Sequence, residues 1–276
     1  MEGPSRVPVA ITIAGSDSGG GAGIQADLKA FARCGVHGTS AIVALTAQNT
    51  REVISVETIP RPMILDQVRA VASDLGVDAV KIGMLFDQPT VESVAEALDE
   101  VGEVPIVVDP VMVAESGAVL LDPAAKEALV ELILSRAAVA TPNLGEAREL
   151  SGLGESATSD DLARAVRELG PRAVVVTGGH TADGADVFFD GETLESIEGP
   201  QYPDGASHGS GCTHSSALAA HLAHGYRPLP AARSARAIAA EGVENGLREL
   251  GGGTGPVDVL GVRARAAELD QAREQQ

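Results

Sequence analysis

Short apolar runs rich in Val, Ile and Ala alternate along the chain with segments whose apolar positions recur every three or four residues. The first run covers residues 7–14 and stops at a stretch of glycines; residues 24–34 follow with helical spacing, Ile24, Leu28 and Phe31 on one face. Residues 39–47 read as a strand, and residues 51–59 as a strand with one wet face, since apolar and polar positions alternate there. Helices are predicted at 63–75, 90–100, 123–134, 143–150 and 162–169, the 123–134 helix opening on Pro123. Buried strands are predicted between them at 79–84, 106–108, 139–141 and 174–176. Residues 187–190 and 192–197 read as a hairpin turning at Asp190 and Gly191. From 211 to 250 the chain is mostly Ala-rich helix.

Regular alternation of strand and helix implies a parallel sheet covered on both faces. Ligands of such sheets sit at the carboxyl ends of the strands. The residues that follow the predicted strands are therefore the ones to inspect. They are 15–23, Gln48 and Asn49, Gly83 and Met84, 109–112, 143–146 and 178–180, a set rich in glycine, amide and carboxylate. Nothing divides the 276 residues by a repeat or linker; one domain is expected over 1–262, with a tail at 263–276 that is an extra helix or a frayed end.

Composition narrows the function classes. Aromatic residues make up 2% of the chain, Trp is absent and the formal net charge is −19, which argues against stacking on nucleic acid and against its phosphate backbone. No apolar run is long enough to span a membrane, and no basic-then-apolar leader opens the chain. Two cysteines, Cys34 and Cys212, make no disulfide framework, so a reducing cytoplasm is expected. Only Lys29, Lys81 and Lys126 are lysines; the other 17 basic residues are arginines. Such acidity fits either an ordinary acidic surface or a halophilic protein whose charges are screened by molar salt.

Four stretches carry candidate chemistry. Residues 15–23 hold five glycines before a helix, where backbone amides could cradle a ligand, although no Gly-x-Gly-x-x-Gly or P-loop pattern is present. Residues 207–213 place Gly209 and Gly211 before another helix, a cup of amides suited to a transferring phosphate. Cys212 would stand at the positive end of that helix, where a thiol pKa is expected to fall, and could act as a base. The plainer reading is a small buried cysteine. Asn143 and Glu146 share a helical face and could orient phosphate and hydrated Mg²⁺, or could simply form a capping box. Asp109 at a strand end could serve Mg²⁺ or phosphate, or cap its own loop. Six histidines show no metal-ligand spacing, and no Gly-x-Ser-x-Gly elbow occurs.

Taken in order, residues 14–29, 46–50, 81–84, 109–114, 141–143 and 208–213 closely resemble the motifs of the hydroxymethylpyrimidine and phosphomethylpyrimidine kinases of thiamine biosynthesis. The resemblance runs from about residue 8 to 260. It implies an α/β, ribokinase-like fold of three α/β/α layers around a central, mostly parallel sheet. It implies ATP as co-substrate, Mg²⁺, and two successive phosphorylations, of hydroxymethylpyrimidine and then of its phosphate. By the same resemblance Gln48 would bond the aminopyrimidine, and Gly15, Ala22, Asp27, Met84 and Val111 would shape or line its pocket. Cys212 would match the base, with Gly209 and Gly211 forming the anion hole. Asn143, Thr177 and Gly179 would meet the nucleotide, while Asp109 and Glu146 would face the metal. A Gln amide can meet adjacent donor and acceptor atoms of such a ring in one plane, and Met84 offers an adaptable apolar contact.

The chain departs from the family pattern in places. Thr177 stands where Lys is frequent, His214 where an apolar residue is usual, and His37 where an aromatic one is common. Residues 203–207 lack the basic character expected before the anion hole. A pyridoxal kinase shares the implied fold and cysteine base; a sugar kinase would carry Asp in place of Cys212. A binding regulator would have no use for a base at that position. A homodimer is the family expectation.

Overall fold

The computed structural model describes residues 6–178 and 184–275. The chain opens with β1 (Val9–Asp17), α1 (Gly23–Arg33), β2 (His37–Gln48), β3 (Val53–Thr58) and α2 (Arg61–Asp74). Next come β4 (Ala79–Ile82), α3 (Gln88–Ala97) and β5 (Ile106–Val108). Beyond α4 (Lys126–Ala128) lie β6 (Val139–Ala140), α5 (Leu144–Ser151), α6 (Ser159–Glu168) and β7 (Ala173–Val176). The hairpin β8 (Asp186–Phe189) and β9 (Leu194–Ile197) precedes α7 (Ser210–Ala223), α8 (Pro228–Glu244) and α9 (Val262–Glu274).

The strands form one sheet in the order β3-β2-β1-β4-β5-β6-β7-β8-β9. Six strands, β2 to β7 in spatial sequence, are parallel, and β3, β8 and β9 add antiparallel edges. Strand pleating sends alternate residues to opposite faces. Ile11, Ile13, Val108, Val174 and Val176 therefore pack on one side with residues of α2, α3, α5 and α6. Ala10, Val107, Val139 and Val175 pack on the other with α1, α7 and α8, whose small Ala217, Ala220, Ala232 and Ala235 fill that layer. These are the three layers the pattern implies. The order reverses at β1, which has β2 on one flank and β4 on the other, so a crevice opens at the carboxyl ends of those strands.

One predicted helix is not continuous. Residues 123–136 run as a 3₁₀ turn, α4, a π turn (Leu129–Ile133) and a second 3₁₀ turn (Leu134–Arg136). Leu129, Ile133 and Leu134 are all buried. Neighbouring residues 133 and 134 cannot both reach the core from one regular α face, and the change in winding brings them there. The end of the chain resolves as a helix: α9 has no buried residue, and its first amides, of Val262 and Arg263, donate to the Asp258 carboxylate at 2.9 and 3.0 Å. Among the described residues no helix is long and apolar enough to cross a membrane.

Candidate active site

A cleft of about 780 Å³ lies at the carboxyl ends of β1, β2, β4, β5, β6 and β7, between the N-termini of α1 and α7. Its wall at one end is the loop before α1. Sequence reasoning expects the amides there to face a ligand, but most are already committed. Asp17 Oδ1 accepts from the Gly19 amide at 2.7 Å, and Oδ2 accepts from Gly21 and Ala22 at 2.9 and 2.8 Å. His208 Nε2 lies 3.1 Å from the same Oδ2. Burial would raise the Asp17 pKa, but His208 and the Ala22 and Gly19 amides outweigh it and hold the carboxyl below its ordinary range. The glycines thus bend the chain around an internal carboxylate. Asp17 and His208 both line the cleft, and neither was singled out as a site residue from the sequence.

Met84, Leu120, Val111 and Ala114 give the cleft an apolar slot, with buried Ala44 packed behind it. Gln48 closes its rim. The Gln48 amide and carbonyl are pinned by Ser18, and Thr46 Oγ1 lies 3.2 Å from Gln48 Oε1. This leaves the side-chain NH₂ of Gln48 free to donate to a ring in the slot. Gly15 sits directly behind Met84: a Cβ there would stand 2.8 Å from Met84 Cε.

The first turn of α7 packs against the loop before α1. Gly209 caps it with φ +84°, and a Cβ at this position would fall 1.8 Å from the Gly21 carbonyl oxygen. Only glycine serves here, on both counts. The Ser210 and Thr213 amides are spent on the Ser207 and Gly209 carbonyls. Those of Gly211 and Cys212 are the first-turn donors that remain for an anion. Cys212 is half-buried. Its thiol is pushed up to about 12 by burial, with the charges of Asp109 and Asp27 adding to the rise and Lys81 and a hydrogen bond from the Gly23 amide opposing it. The expected fall in thiol pKa at a helix N-terminus is therefore corrected: desolvation among carboxylates prevails over the favourable end of α7.

Asp109 and Glu146 also line the cleft. Asp109 accepts from Ser215 Oγ at 3.2 Å and lies 3.9 Å from Lys81 Nζ. Burial raises both carboxyls; Glu146, pushed up further by the charge of Asp109, reaches about 8. Asn143 and Glu146 form the capping box, each side chain accepting the other's amide at 2.9 Å. They line the cleft as well, so the local and the functional readings hold together. Among the described residues no group of three or more His, Cys, Asp or Glu is placed to hold a metal ion. Two buried carboxyls that repel each other do suit Mg²⁺, which takes one or two carboxylates and completes its shell with water and phosphate oxygens.

The match to known proteins now decides the family. The family model for phosphomethylpyrimidine kinase covers residues 17–258. The chain belongs to that family. A hydroxymethylpyrimidine/phosphomethylpyrimidine kinase of Rhizobium meliloti is 46% identical, covering 90% of this chain and 96% of that protein. Among solved structures, the ADP complex of Bacillus subtilis pyridoxal kinase matches with a TM-score of 0.85 at 36% identity, over 94% of this chain and 99% of that one. The phosphomethylpyrimidine kinase of Clostridium difficile matches with a TM-score of 0.73 at 38% identity, over 83% and 96%. The protein is a kinase with a ribokinase-like fold.

The kinase brings Gly15, Ala22, Gln48, Met84, Val111, Asp109, Asn143, Glu146, Thr177, Gly209, Gly211 and Cys212 into one cleft. Asp27 stands apart from these. It is fully buried behind the wall, bonded to Lys81, Thr12 and Ser216, and does not line the cleft. Its helical position beside Gln25 and Leu28 could not reveal which way it turns. Gly179 lies outside the described residues. The glycine-rich stretch 250–255 docks beside Gln48: the amides of Gly252 and Gly253 each donate to Thr50 Oγ1 at 3.2 Å. Asp186 accepts from the Gly178 amide at 2.9 Å; His214 Nε2 lies 3.1 Å from its Oδ2, and Arg236 Nε lies 3.7 Å from its Oδ1. The unusual histidine thus belongs to a buried charged cluster on the cleft wall.

Proposed function

We propose that this kinase transfers the γ-phosphoryl group of ATP to the hydroxymethyl oxygen of 4-amino-5-hydroxymethyl-2-methylpyrimidine, and then phosphorylates the monophosphate to the diphosphate, in thiamine biosynthesis. The observation that carries the reading is that Cys212, the Gly209–Gly211 turn, Gln48, Met84, Asp109 and Glu146 all line one cleft. A ring in the slot, bonded by Gln48, would point its hydroxymethyl group at Cys212. The hydroxyl oxygen bonds to the γ-phosphorus as the bond to the bridging oxygen of ADP breaks. The hydroxyl proton passes to the Cys212 thiolate, a form that Lys81 favours and burial opposes. In a loose transition state the nucleophile needs little activation, so positioning and charge stabilisation carry most of the acceleration. The Gly211 and Cys212 amides would hold the phosphoryl oxygens as their charge redistributes. Asn143 and Thr177 would meet the nucleotide phosphates. Mg²⁺, when bound by Asp109 and Glu146, would offset phosphate charge. We assign residues 1–262 to a single catalytic domain working in the cytoplasm. A homodimer is supported by Leu45 and Ile54, large apolar residues exposed on β2 and the edge strand β3.

A second reading, pyridoxal phosphorylation, is favoured by the likeness to Bacillus subtilis pyridoxal kinase. The test is phosphate transfer from Mg-ATP to the hydroxymethylpyrimidine and to pyridoxal, each in molar KCl and in dilute buffer. Mono- and then diphosphate of the pyrimidine is the expected product. Turnover of pyridoxal alone would replace this reading with the second. Transfer to neither, in folded protein that binds ATP, would refute both.

A further inference from the structure

The chemistry described above uses Lys81 only as a charge that favours the Cys212 thiolate and leaves its own contacts unassigned. Its side chain is fully buried. Nζ donates to Asp27 Oδ1 and Oδ2 at 2.9 and 3.1 Å and lies 3.9 Å from Asp109 Oδ2. Burial alone would drive the ammonium toward neutrality, but the charge of Asp27, followed by those of Cys212 and Asp109, outweighs it and holds the lysine above its ordinary range. Gly83 leaves room for the ammonium, since a Cβ there would stand 2.8 Å from Nζ.

Both carboxylates that Lys81 joins also meet serine hydroxyls of α7. Asp27 accepts from Ser216 Oγ at 2.7 Å and from Thr12 Oγ1 of β1 at 2.6 Å. Asp109 accepts from Ser215 Oγ at 3.2 Å. Ser215 and Ser216 follow Cys212 by three and four residues, one helical turn on, so they share its side of α7. The turn that carries the anion hole and Cys212 is therefore held directly by Asp27 of α1 and Asp109 at the end of β5, and the Lys81 ammonium joins those two carboxylates.

We propose that Lys81 is a positioning residue for phosphoryl transfer: by bridging Asp27 and Asp109 it sets the first turn of α7 against the Asp109–Glu146 pair and keeps one positive charge beside the anion hole. This rests on Cys212 and Asp109 forming the transfer centre. A misplacement of about 1 Å at such a centre can cost ~10²-fold in rate with little change in binding.

The experiment compares wild type, C212A, the neutral near-isosteric pair K81M/D27N, and S215A/S216A. Replacing a buried ion pair by neutral groups of similar volume is often tolerated, and alanine suits a helix interior. Circular dichroism establishes folding, and steady-state kinetics give kcat and KM for ATP and for the pyrimidine. K81M/D27N is expected to keep both KM values within about threefold while kcat falls ~10²-fold. S215A/S216A is expected to lose about tenfold in kcat with KM unchanged, and it carries the test alone if K81M/D27N does not fold. A purely structural lysine would give folded variants whose kcat stays within about threefold of wild type, and that result would overturn the proposal. If wild type is active and C212A is not, such a result sinks the Lys81 inference alone. A wild type that fails to phosphorylate the pyrimidine overturns the reading of the site and this inference with it.

Discussion

Glu146 offers a stability test of the carboxyl pair that needs no turnover. Its carboxyl moves from an ordinary value of 4.5 to about 8, because of burial and the neighbouring charge of Asp109. The folded protein therefore holds a proton here that the unfolded chain releases between about pH 4.5 and 8. In that window the unfolded state binds fewer protons, so this group lowers stability as pH rises. Taken alone, the span corresponds to a ceiling of ~5 kcal/mol at 1.36 kcal/mol per pKa unit. Asp109 shares the proton exchange, which brings the expected effect to ~2–4 kcal/mol. Glu146→Gln keeps an oxygen to accept the Asn143 amide and removes the charge. At roughly 2–4 °C per kcal/mol for a chain of this size, the variant should melt about 4–16 °C above wild type at pH 8 or higher. The gap should close toward pH 5, where wild-type Glu146 is neutral too. The assay is thermal unfolding from pH 5 to 8.5 at constant high ionic strength in chelator, repeated with Mg²⁺. The cation should shrink the gap at pH 8 by pairing with the charged carboxylate of the wild type. A gap that is the same at every pH, or a variant less stable than wild type at pH 8, would refute the assignment of a buried, proton-holding Glu146.

Three further outcomes are expected. Cys212→Ala should lower kcat by ~10²–10⁴-fold while calorimetry still finds ATP and pyrimidine binding; equal turnover would remove the cysteine from the mechanism. Because burial holds the free thiol near 12, wild-type kcat/KM should keep rising through pH 9; a plateau below pH 8 would contradict that placement. Gly209→Ala meets both a left-handed backbone and the Gly21 carbonyl, so kcat should fall by ~10²-fold or more, and full activity would mean that the α7 turn is not an anion site. With a net charge of −19, the melting temperature should rise steeply from dilute buffer to molar KCl; an unchanged melt and unchanged activity would end the halophilic reading.

The layers and the cleft were legible because they follow from periodicity. Runs such as Val107–Val108 and residues 173–176 bury both faces, as a parallel strand under two helix layers must, and the crevice follows from where those strands end. What stayed hidden depends on contacts between residues far apart in the chain. Asp27 is one helical position among several, and only the packing of α1 against Lys81, 54 residues on, turns it inward. The fate of the glycine-loop amides is decided by Asp17, whose role as the loop's own anion depends on His208, 191 residues away. The Cys212 thiol shows the same limit in energetic form. Its place at a helix N-terminus argues for a low pKa, and that argument holds for an exposed helix end. Here the same turn is packed onto Asp109 and Asp27, and burial among carboxylates reverses the sign. Local sequence reports which groups a site owns. Their charge states follow from which other groups the fold sets beside them, and in this cleft the deciding neighbours are Lys81, Asp27 and Asp109.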